Sequence, residues 1–288
     1  MNNDNIIVGF LGLGLIGGSI ARAIRKAYPS AIIRVYTRRE NPDLEQGKAD
    51  GIISSLHYEI NEDFSDCDVI FLCAPVLRNL EFLPLIQPFL KKDCILTDVG
   101  SVKGNIHTAV SEHNLDSYFI GGHPMAGSEK YGFINSSAIL LENAFYLLTR
   151  TPKTTDTQLE RLKSLLTCTG SRFVVLDPKE HDEATAAISH MPHVIAATLV
   201  NTVRENDSSE EYMKQFAAGG FKDTTRIASS SPEMWESICL SNKESIDLFL
   251  GYFIDKLTEF RTFIANDDGE KIREQFRTAG EYRDSLYN

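Results

Sequence analysis

Short apolar runs alternate with amphipathic stretches through the first half of the chain. "NIIVGFLG" has the composition of a buried strand, and "GGSIARAIRKAYP" has the apolar spacing of a helix that stops before Pro29. Further strand-like runs are "AIIRVYT", "CDVIFLCAP", "CILTDVG", "AFYLLTR" and "RFVVLD". Strands that alternate with helices predict an α/β protein with a parallel, doubly wound sheet of Rossmann type.

The pattern changes after "LDPKEHDEA". Asp177 is placed to cap a helix, Pro178 suits the first helical position, and Glu180 completes a capping box. Only helical periodicity follows, as in "EATAAISHMPHVIAATLVNTV" and "GEKIREQFRTAGEYR". We therefore expect two domains, an α/β domain over residues 1–177 and an all-helical domain over residues 178–288.

One helix of the second half is apolar on more than one face. It is "SIDLFLGYFIDKLTEFRTFI", and it carries more apolar surface than a monomer of this size usually leaves in water. This pattern predicts that the helical domain forms a homodimer.

The overall charge narrows the class of partner. The 288 residues carry a formal net charge of −11, which argues against a nucleic-acid partner. We find no apolar run long enough for a bilayer and no basic leader at "MNNDN", so we expect no membrane partner. Five cysteines without a CxxC pair favour a cytoplasmic protein rather than a disulfide-bonded one.

A glycine motif, Gly12-x-Gly14-x-x-Gly17, ends the first strand and opens the first helix. Such glycines allow a tight turn, the approach of a pyrophosphate and close helix–strand packing, so the motif predicts dinucleotide binding. The alternative is a glycine-rich turn without a ligand. We also assign four neighbouring positions to cofactor binding: Leu15, Ile16, Ala74 and Pro75.

The stretch "RVYTRRE" bears on which dinucleotide is bound. An Asp or Glu that holds the ribose of NAD usually stands here, but this chain has Thr37, Arg38 and Arg39. A hydroxyl and two guanidinium groups suit a 2′-phosphate, so we predict NADP, with NAD as the second choice. The alternative is that the two arginines are ordinary surface residues.

Four polar stretches beside Gly or Pro are candidates for a substrate site: "TDVGSVK", "GGHPMAGSE", "SHMPH" and "GGFKDTTRIASSSPEMW". His123 falls at the carboxyl edge of the sheet, where a histidine can take a proton from a hydroxyl as its carbon loses hydride. Arg226 can clamp a carboxylate. The alternative for each of these residues is a purely structural role. His181, His190 and His193 could form a metal site, but no carboxylate or cysteine completes a recognisable zinc motif, so we predict no metal.

Together with "GLGLIGGS", these stretches resemble the prephenate/arogenate dehydrogenase family, in order from about residue 6 to about residue 240. The resemblance implies a Rossmann domain, a helical dimerisation domain and oxidative decarboxylation of a cyclohexadienol. It implies that His123 takes the proton of the ring 4-hydroxyl and that Ser101 holds this hydroxyl. The substrate-binding residues it implies are Ser101, Ser128, Glu129 (as a gate), His190, His193, Arg226 and Trp235.

The resemblance predicts an oxidoreductase of tyrosine biosynthesis that converts prephenate to 4-hydroxyphenylpyruvate with NADP. Prephenate is favoured over arogenate because a neutral His193 imidazole can donate to a keto oxygen or to the adjacent carboxylate, and a protonated one would repel an ammonium. The nearest acids in the sequence, Asp182 and Glu183, are too far along the helix to pair with that ammonium. The alternatives are an arogenate dehydrogenase, another dehydrogenase with a Rossmann and a helical domain, and a non-catalytic NADP-binding sensor.

Overall fold

The computed structural model describes residues 6–127 and 130–286. Strands and helices alternate up to residue 176, as the apolar pattern predicts. The strands are β1 (Ile7–Leu11), β2 (Ile32–Tyr36), β3 (Ser55–His57), β4 (Val69–Leu72), β5 (Ile95–Asp98), β6 (Phe119–Pro124), β7 (Phe145–Arg150) and β8 (Arg172–Leu176). The helices of this half are α1 (Leu15–Ala27), α2 (Pro42–Ala49), α3 (Val76–Ile86), α4 (Gly104–Glu112) and α5 (Asp156–Leu166).

The strands form one eight-stranded sheet in the order β3-β2-β1-β4-β5-β6-β7-β8. The strands from β3 to β6 in this order pair in parallel, whereas β7 runs antiparallel to β6 and parallel to β8. The Rossmann-type fold is confirmed, but the expectation of a wholly parallel sheet is wrong at this edge. The described part of the β6–β7 connection holds only a 3-10 turn at Phe133–Asn135, so no helix carries the chain back for a parallel return.

Side chains alternate between the two faces of the central strands. On β4, Val69 and Phe71 belong to the cluster that also contains Ile20 and Leu162, and so face α1 and α5. Ile70 and Leu72 belong to the opposite cluster, which includes Leu83 of α3 and residues of α4. Both faces of the central strands are therefore covered by helices, and the loops at the carboxyl edge are where a sheet of this kind binds its ligand.

The second half is helical throughout its described residues. Its helices are α6 (Pro178–Thr185), α7 (Met191–Glu205), α8 (Tyr212–Phe216), α9 (Gly219–Thr225), α10 (Pro232–Ser241), α11 (Lys243–Ala265) and α12 (Gly269–Ser285). The capping box predicted for α6 is present, because Asp177 and Glu180 each bond the other's backbone N–H. No helix in the described ranges is long and apolar enough to cross a membrane.

The run predicted as one helix from residue 183 is interrupted by a π-helical turn at Ala186–His190. Pro192 follows immediately, at the start of α7. A proline offers no N–H and crowds the carbonyl four residues earlier, so the wider turn before it accommodates the ring. This turn sets the direction in which His190 leaves the helix.

Candidate active site

The glycine turn between β1 and α1 has room for a ligand on one side and tight packing on the other. Gly12 has a φ of 82°, in the left-handed region that favours glycine. A Cβ on Gly14 would meet no atom within 4 Å, whereas one on Gly17 would lie 2.8 Å from Sγ of Cys73. Gly14 precedes α1 without a side-chain cap, so the first N–H groups of the helix suit a phosphate. Leu15 and Ile16 form that first turn.

Arg38 and Arg39 lie just beyond the end of β2 and are exposed. Neither guanidinium has a hydrogen-bond or ion-pair partner within residues 6–127 and 130–286, whereas the Thr37 hydroxyl donates to the carbonyl of Arg39 at 3.0 Å. Ala74 and Pro75 follow β4, the strand beside β1. The Ala74 amide donates to Oδ1 of the buried Asn79 at 3.0 Å, which fixes this second loop. Both loops follow parallel strands and so lie at the carboxyl edge of the sheet.

At their carboxyl ends, β5 and β6 are joined by side-chain hydrogen bonds rather than by further backbone pairing. Backbone pairing reaches only Thr97 and Ile120. Beyond it, Oδ1 of Asp98 accepts the amide of Gly122 at 3.0 Å, and Nζ of Lys103 donates to the Gly122 carbonyl at 2.8 Å. The Lys103 ammonium also pairs with Asp98, and both side chains are buried. This bridge fixes the backbone immediately before His123.

His123 lies in β6 and is half-buried. Its Nδ1 is 2.8 Å from Nε2 of His181, and Nδ1 of His181 is 2.8 Å from Oδ1 of Asp182. The remaining contacts of Asp182 lead back to the sheet, since its two oxygens accept the amides of Lys103 at 2.8 Å and Gly104 at 2.7 Å. A line of three polar side chains thus connects His123 to the start of α4.

Burial holds these imidazoles in their neutral form. Desolvation, reinforced by His181, Lys103 and His190, places the pKa of His123 well below its ordinary value. Desolvation also lowers the pKa of His181, although Asp182 opposes the shift, and it lowers the pKa of His190 to about 4. A neutral His123 at the carboxyl edge can accept a proton at neutral pH.

The two histidines of "SHMPH" have different surroundings. His190 is buried, and its Nδ1 lies 3.2 Å from Nδ2 of Asn242. His193 is half-buried, stacks on Trp235 with ring centroids 3.9 Å apart, and donates from Nδ1 to the carbonyl of Ser189 at 2.8 Å. That last bond leaves only Nε2 of His193 for a ligand. The premise that a neutral His193 donates to a substrate keto group is therefore wrong, because its one N–H is already used.

Two other predicted residues are near this region. Arg226 opens a 3-10 turn, Arg226–Ser229, and its charge contributes to the lowered pKa of His193, after desolvation. Ser101 follows β5 and is half-buried, and its hydroxyl has no hydrogen-bond partner in the described part of the chain. Ser128 and Glu129 lie outside the described residues.

Sequence reasoning missed His181, Asp182 and Asn242. His181 was considered only as one of a metal trio, but His181, His190 and His193 each have a different partner. No group of three or more His, Cys, Asp or Glu residues in the described ranges is placed to hold a metal ion. The only signal for His181 was its proximity to the capping box, because its contact with His123 spans 58 residues of chain.

The fold and this edge define a class of protein: a Rossmann-type nucleotide-binding half joined to a helical half that completes the site. Two family models match the chain, the prephenate dehydrogenase nucleotide-binding domain over residues 20–175 and the prephenate dehydrogenase dimerization domain over residues 177–278. The chain therefore belongs to the prephenate dehydrogenase family, as the sequence motifs predicted.

Known proteins resemble the chain over nearly its full length. Bacillus subtilis prephenate dehydrogenase is 38% identical, over 99% of this chain and 77% of that protein. The structure of A. aeolicus prephenate dehydrogenase with hydroxyphenyl propionate and NAD+ has a TM-score of 0.91 and 32% identity, and covers 98% of each chain. Synechocystis arogenate dehydrogenase has a TM-score of 0.85 and 28% identity, and covers 98% of this chain and 100% of that one.

Gly17→Ala and Gly14→Ala separate packing from ligand binding. We expect Gly17→Ala to lower the free energy of unfolding by about 1–2 kcal/mol, because its Cβ would lie 2.9 Å from Cβ of Cys73, which cannot rotate away. Gly14→Ala should leave that free energy unchanged and weaken dinucleotide binding about tenfold or more, a cost of about 1.4 kcal/mol. Chemical denaturation and a fluorescence titration measure the two effects. Equal stability loss in both variants would contradict this division of roles.

Proposed function

We propose that the protein oxidises prephenate to 4-hydroxyphenylpyruvate with NADP, releasing CO₂, as a step of tyrosine biosynthesis. The observation that carries the proposal is the neutral His123 at the carboxyl edge of a sheet whose first turn suits a dinucleotide. The name of the 38%-identical B. subtilis relative supports the same substrate. We also propose that the nucleotide-binding domain ends at residue 177 and that the helical domain covers residues 178–288.

The residues suit this chemistry. The dinucleotide would supply the hydride acceptor, and the turn at Gly14 with the uncapped start of α1 would hold its phosphates. Nε2 of His123 accepts the proton of the ring hydroxyl as the adjacent carbon loses hydride, and loss of CO₂ then makes the ring aromatic. Ser101 holds the same hydroxyl, and Arg226 pairs with a substrate carboxylate. His190, His193 and Trp235 line the pocket, with Ser128 and Glu129 at its mouth.

The NADP assignment rests on the loop after β2. The guanidinium groups of Arg38 and Arg39 are exposed and have no partner in the described ranges, so they are available for a 2′-phosphate. Position 37 is a threonine rather than an acid that would repel this phosphate. The A. aeolicus relative was solved with NAD+, so NAD is the competing cofactor.

Arogenate is the competing substrate, and one observation favours it. The bond from Nδ1 of His193 to Ser189 makes Nε2 of the neutral ring a hydrogen-bond acceptor. An acceptor suits the ammonium of arogenate better than the keto oxygen of prephenate. The Synechocystis arogenate dehydrogenase shares the fold over the whole chain. We retain prephenate as the proposal because two relatives, at 38% and 37% identity, carry that name.

We propose that the protein acts as a homodimer assembled through its helical half. α11 and α12 expose several large apolar side chains: Leu248, Tyr252, Ile254, Leu257, Ile264, Phe276 and Tyr282. The matching family model is a dimerization domain. Apolar surface of this kind is usually covered by a partner.

His123→Asn tests the base. We expect kcat to fall about 10²–10⁴-fold with the Kd for NADP unchanged, because only proton transfer is lost. In the wild type, kcat/KM should stay level down to pH 6.5 and fall only below it, since burial lowers the pKa of His123. Steady-state absorbance at 340 nm reports kcat and kcat/KM, and a fluorescence titration reports the Kd for NADP. A variant with wild-type turnover would remove His123 from the mechanism.

Replacement of Arg38 and Arg39 by Ser, together with Thr37→Asp, tests the cofactor. We expect the Kd for NADP to rise about 10²-fold, because two charge-assisted hydrogen bonds are lost, while NAD binds better. Arg172→Ser is the control, since Arg172 is an exposed arginine on β8, at the opposite edge of the sheet. If the wild type already uses NAD as well as NADP, the arginines are ordinary surface residues.

A comparison of prephenate with arogenate, each with NADP and with NAD, tests the substrate. We expect a higher kcat/KM for prephenate. His193→Asp should move the preference toward arogenate, because a carboxylate at this position would pair with the ammonium. A wild-type kcat/KM higher for arogenate would overturn the assignment and favour the acceptor role of His193.

A further inference from the structure

We infer that His181 and Asp182 are positioning residues that hold His123 in the tautomer whose Nε2 is free to accept a proton. The inference rests on the proposed role of His123 as the base. It assigns a task to two residues that make no contact with the reacting atoms in the proposed mechanism.

The direction of each hydrogen bond follows from the carboxylate. An ionised carboxylate can only accept, so Nδ1 of His181 donates to Oδ1 of Asp182 across their 2.8 Å contact. A neutral imidazole carries a single N–H, and Nε2 of His181 is therefore an acceptor. His123 must then donate from Nδ1 across its own 2.8 Å contact with His181. Its lone pair is left on Nε2.

This order holds only while His181 is neutral. A protonated His181 would donate from both nitrogens, and His123 would have to accept at Nδ1 and carry its proton on Nε2. That form of His123 cannot act as a base through Nε2. His181 has no exposed surface, and desolvation lowers its pKa although Asp182 opposes the shift.

Asp182 is itself held in one orientation. Its Oδ1 also accepts the amide of Lys103, and its Oδ2 accepts the amide of Gly104, so neither oxygen is free to turn away from His181. The carboxylate therefore has a partner on each side, the start of α4 and the imidazole. A group fixed in this way can select one tautomer, as the buried aspartate of a serine-protease triad does.

The competing explanation is that the three side chains only join α6 to the sheet. His181→Leu and His181→Gln distinguish the two explanations. A Gln side chain can place a carbonyl oxygen near the position of Nε2 and accept from His123, whereas Leu offers no acceptor and leaves the N–H unpaired. A purely structural joint would be disturbed by both variants, but a tautomer selector would be restored by Gln.

We expect His181→Leu to lower kcat about 10²-fold with a much smaller change in the KM for prephenate, and His181→Gln to recover most of the turnover. The assay is steady-state oxidation of prephenate with NADP by the full chain. Equal losses of kcat in both variants, or losses confined to KM, would overturn the inference.

Nitrogen NMR of protein labelled with ¹⁵N-histidine tests the same point without turnover. The spectrum of His123→Asn identifies the His123 signals by their loss. We expect the wild type to show a protonated Nδ1 and an unprotonated Nε2, His181→Leu to show a mixture, and His181→Gln to match the wild type. A wild-type His123 protonated on Nε2 at neutral pH would overturn the inference even if His181→Leu did not fold.

The two measurements keep the inference separate from the proposed function. If His123→Asn turned over at the wild-type rate, the base assignment would fail whatever the NMR tautomer. If His123→Asn were inactive while His181→Leu retained full turnover, the base would stand and the positioning role would be wrong.

Discussion

Taking the Lys103 ammonium out of water costs several kcal/mol, and Asp98 offsets that cost only because both groups are also hydrogen-bonded. Asp98 also accepts the amide of Gly100 at 2.9 Å. The amide and carbonyl of Gly122 complete the hydrogen bonds of the pair, so all of them form only when β6 lies at this distance from β5. A Cβ at Gly122 would lie 2.6 Å from the carbonyl oxygen of Asp98, which is why glycine stands there. The buried Lys103–Asp98 pair thus fixes Gly122, and with it the position of the next residue, His123.

The same segment also joins the two halves of the chain. Backbone amides at the start of α4 bond Asp182 of α6, and Nδ2 of Asn242, at the start of α11, bonds the Asp182 carbonyl at 2.8 Å. His190 contacts the same Asn242. The helical half is therefore tied to the nucleotide-binding half through buried polar groups. Such groups are costly unless all are paired, so the relative placement of the halves is strongly specified.

The fold was predictable where its causes are local. The turn at Gly12 and the cap at Asp177 each depend on a few neighbouring residues, and both were confirmed. The reversal at β7 was not predictable, because a strand's apolar pattern is the same in either direction. The π turn before Pro192 was missed because periodicity cannot distinguish a widened turn from a regular one.

The candidate site was predictable only in part for a related reason. Motifs identified His123 by its setting beside Gly and Pro, but its partner His181 comes from another element and carries no motif. The expectation that His193 donates to a keto oxygen was wrong because its N–H is used in a bond to Ser189 that no sequence pattern reveals. The sequence shows that a residue is a histidine and can exchange a proton. Which of its ring nitrogens carries the proton depends on the groups that surround it in the fold.

His123 and His193 show how one hydrogen bond at Nδ1 can leave the same ring nitrogen free for two different tasks. His193 donates from Nδ1 to a backbone carbonyl, and in the tautomer that we infer His123 donates from Nδ1 to an imidazole, so each ring then presents a lone pair on Nε2. At His123 that lone pair suits removal of a proton from a hydroxyl. At His193 it suits recognition of a donor, and stacking on Trp235 prevents the ring from turning to offer another edge. Under the proposed function, the contribution of His193 to substrate preference therefore depends less on the residue type than on its bond to the carbonyl of Ser189.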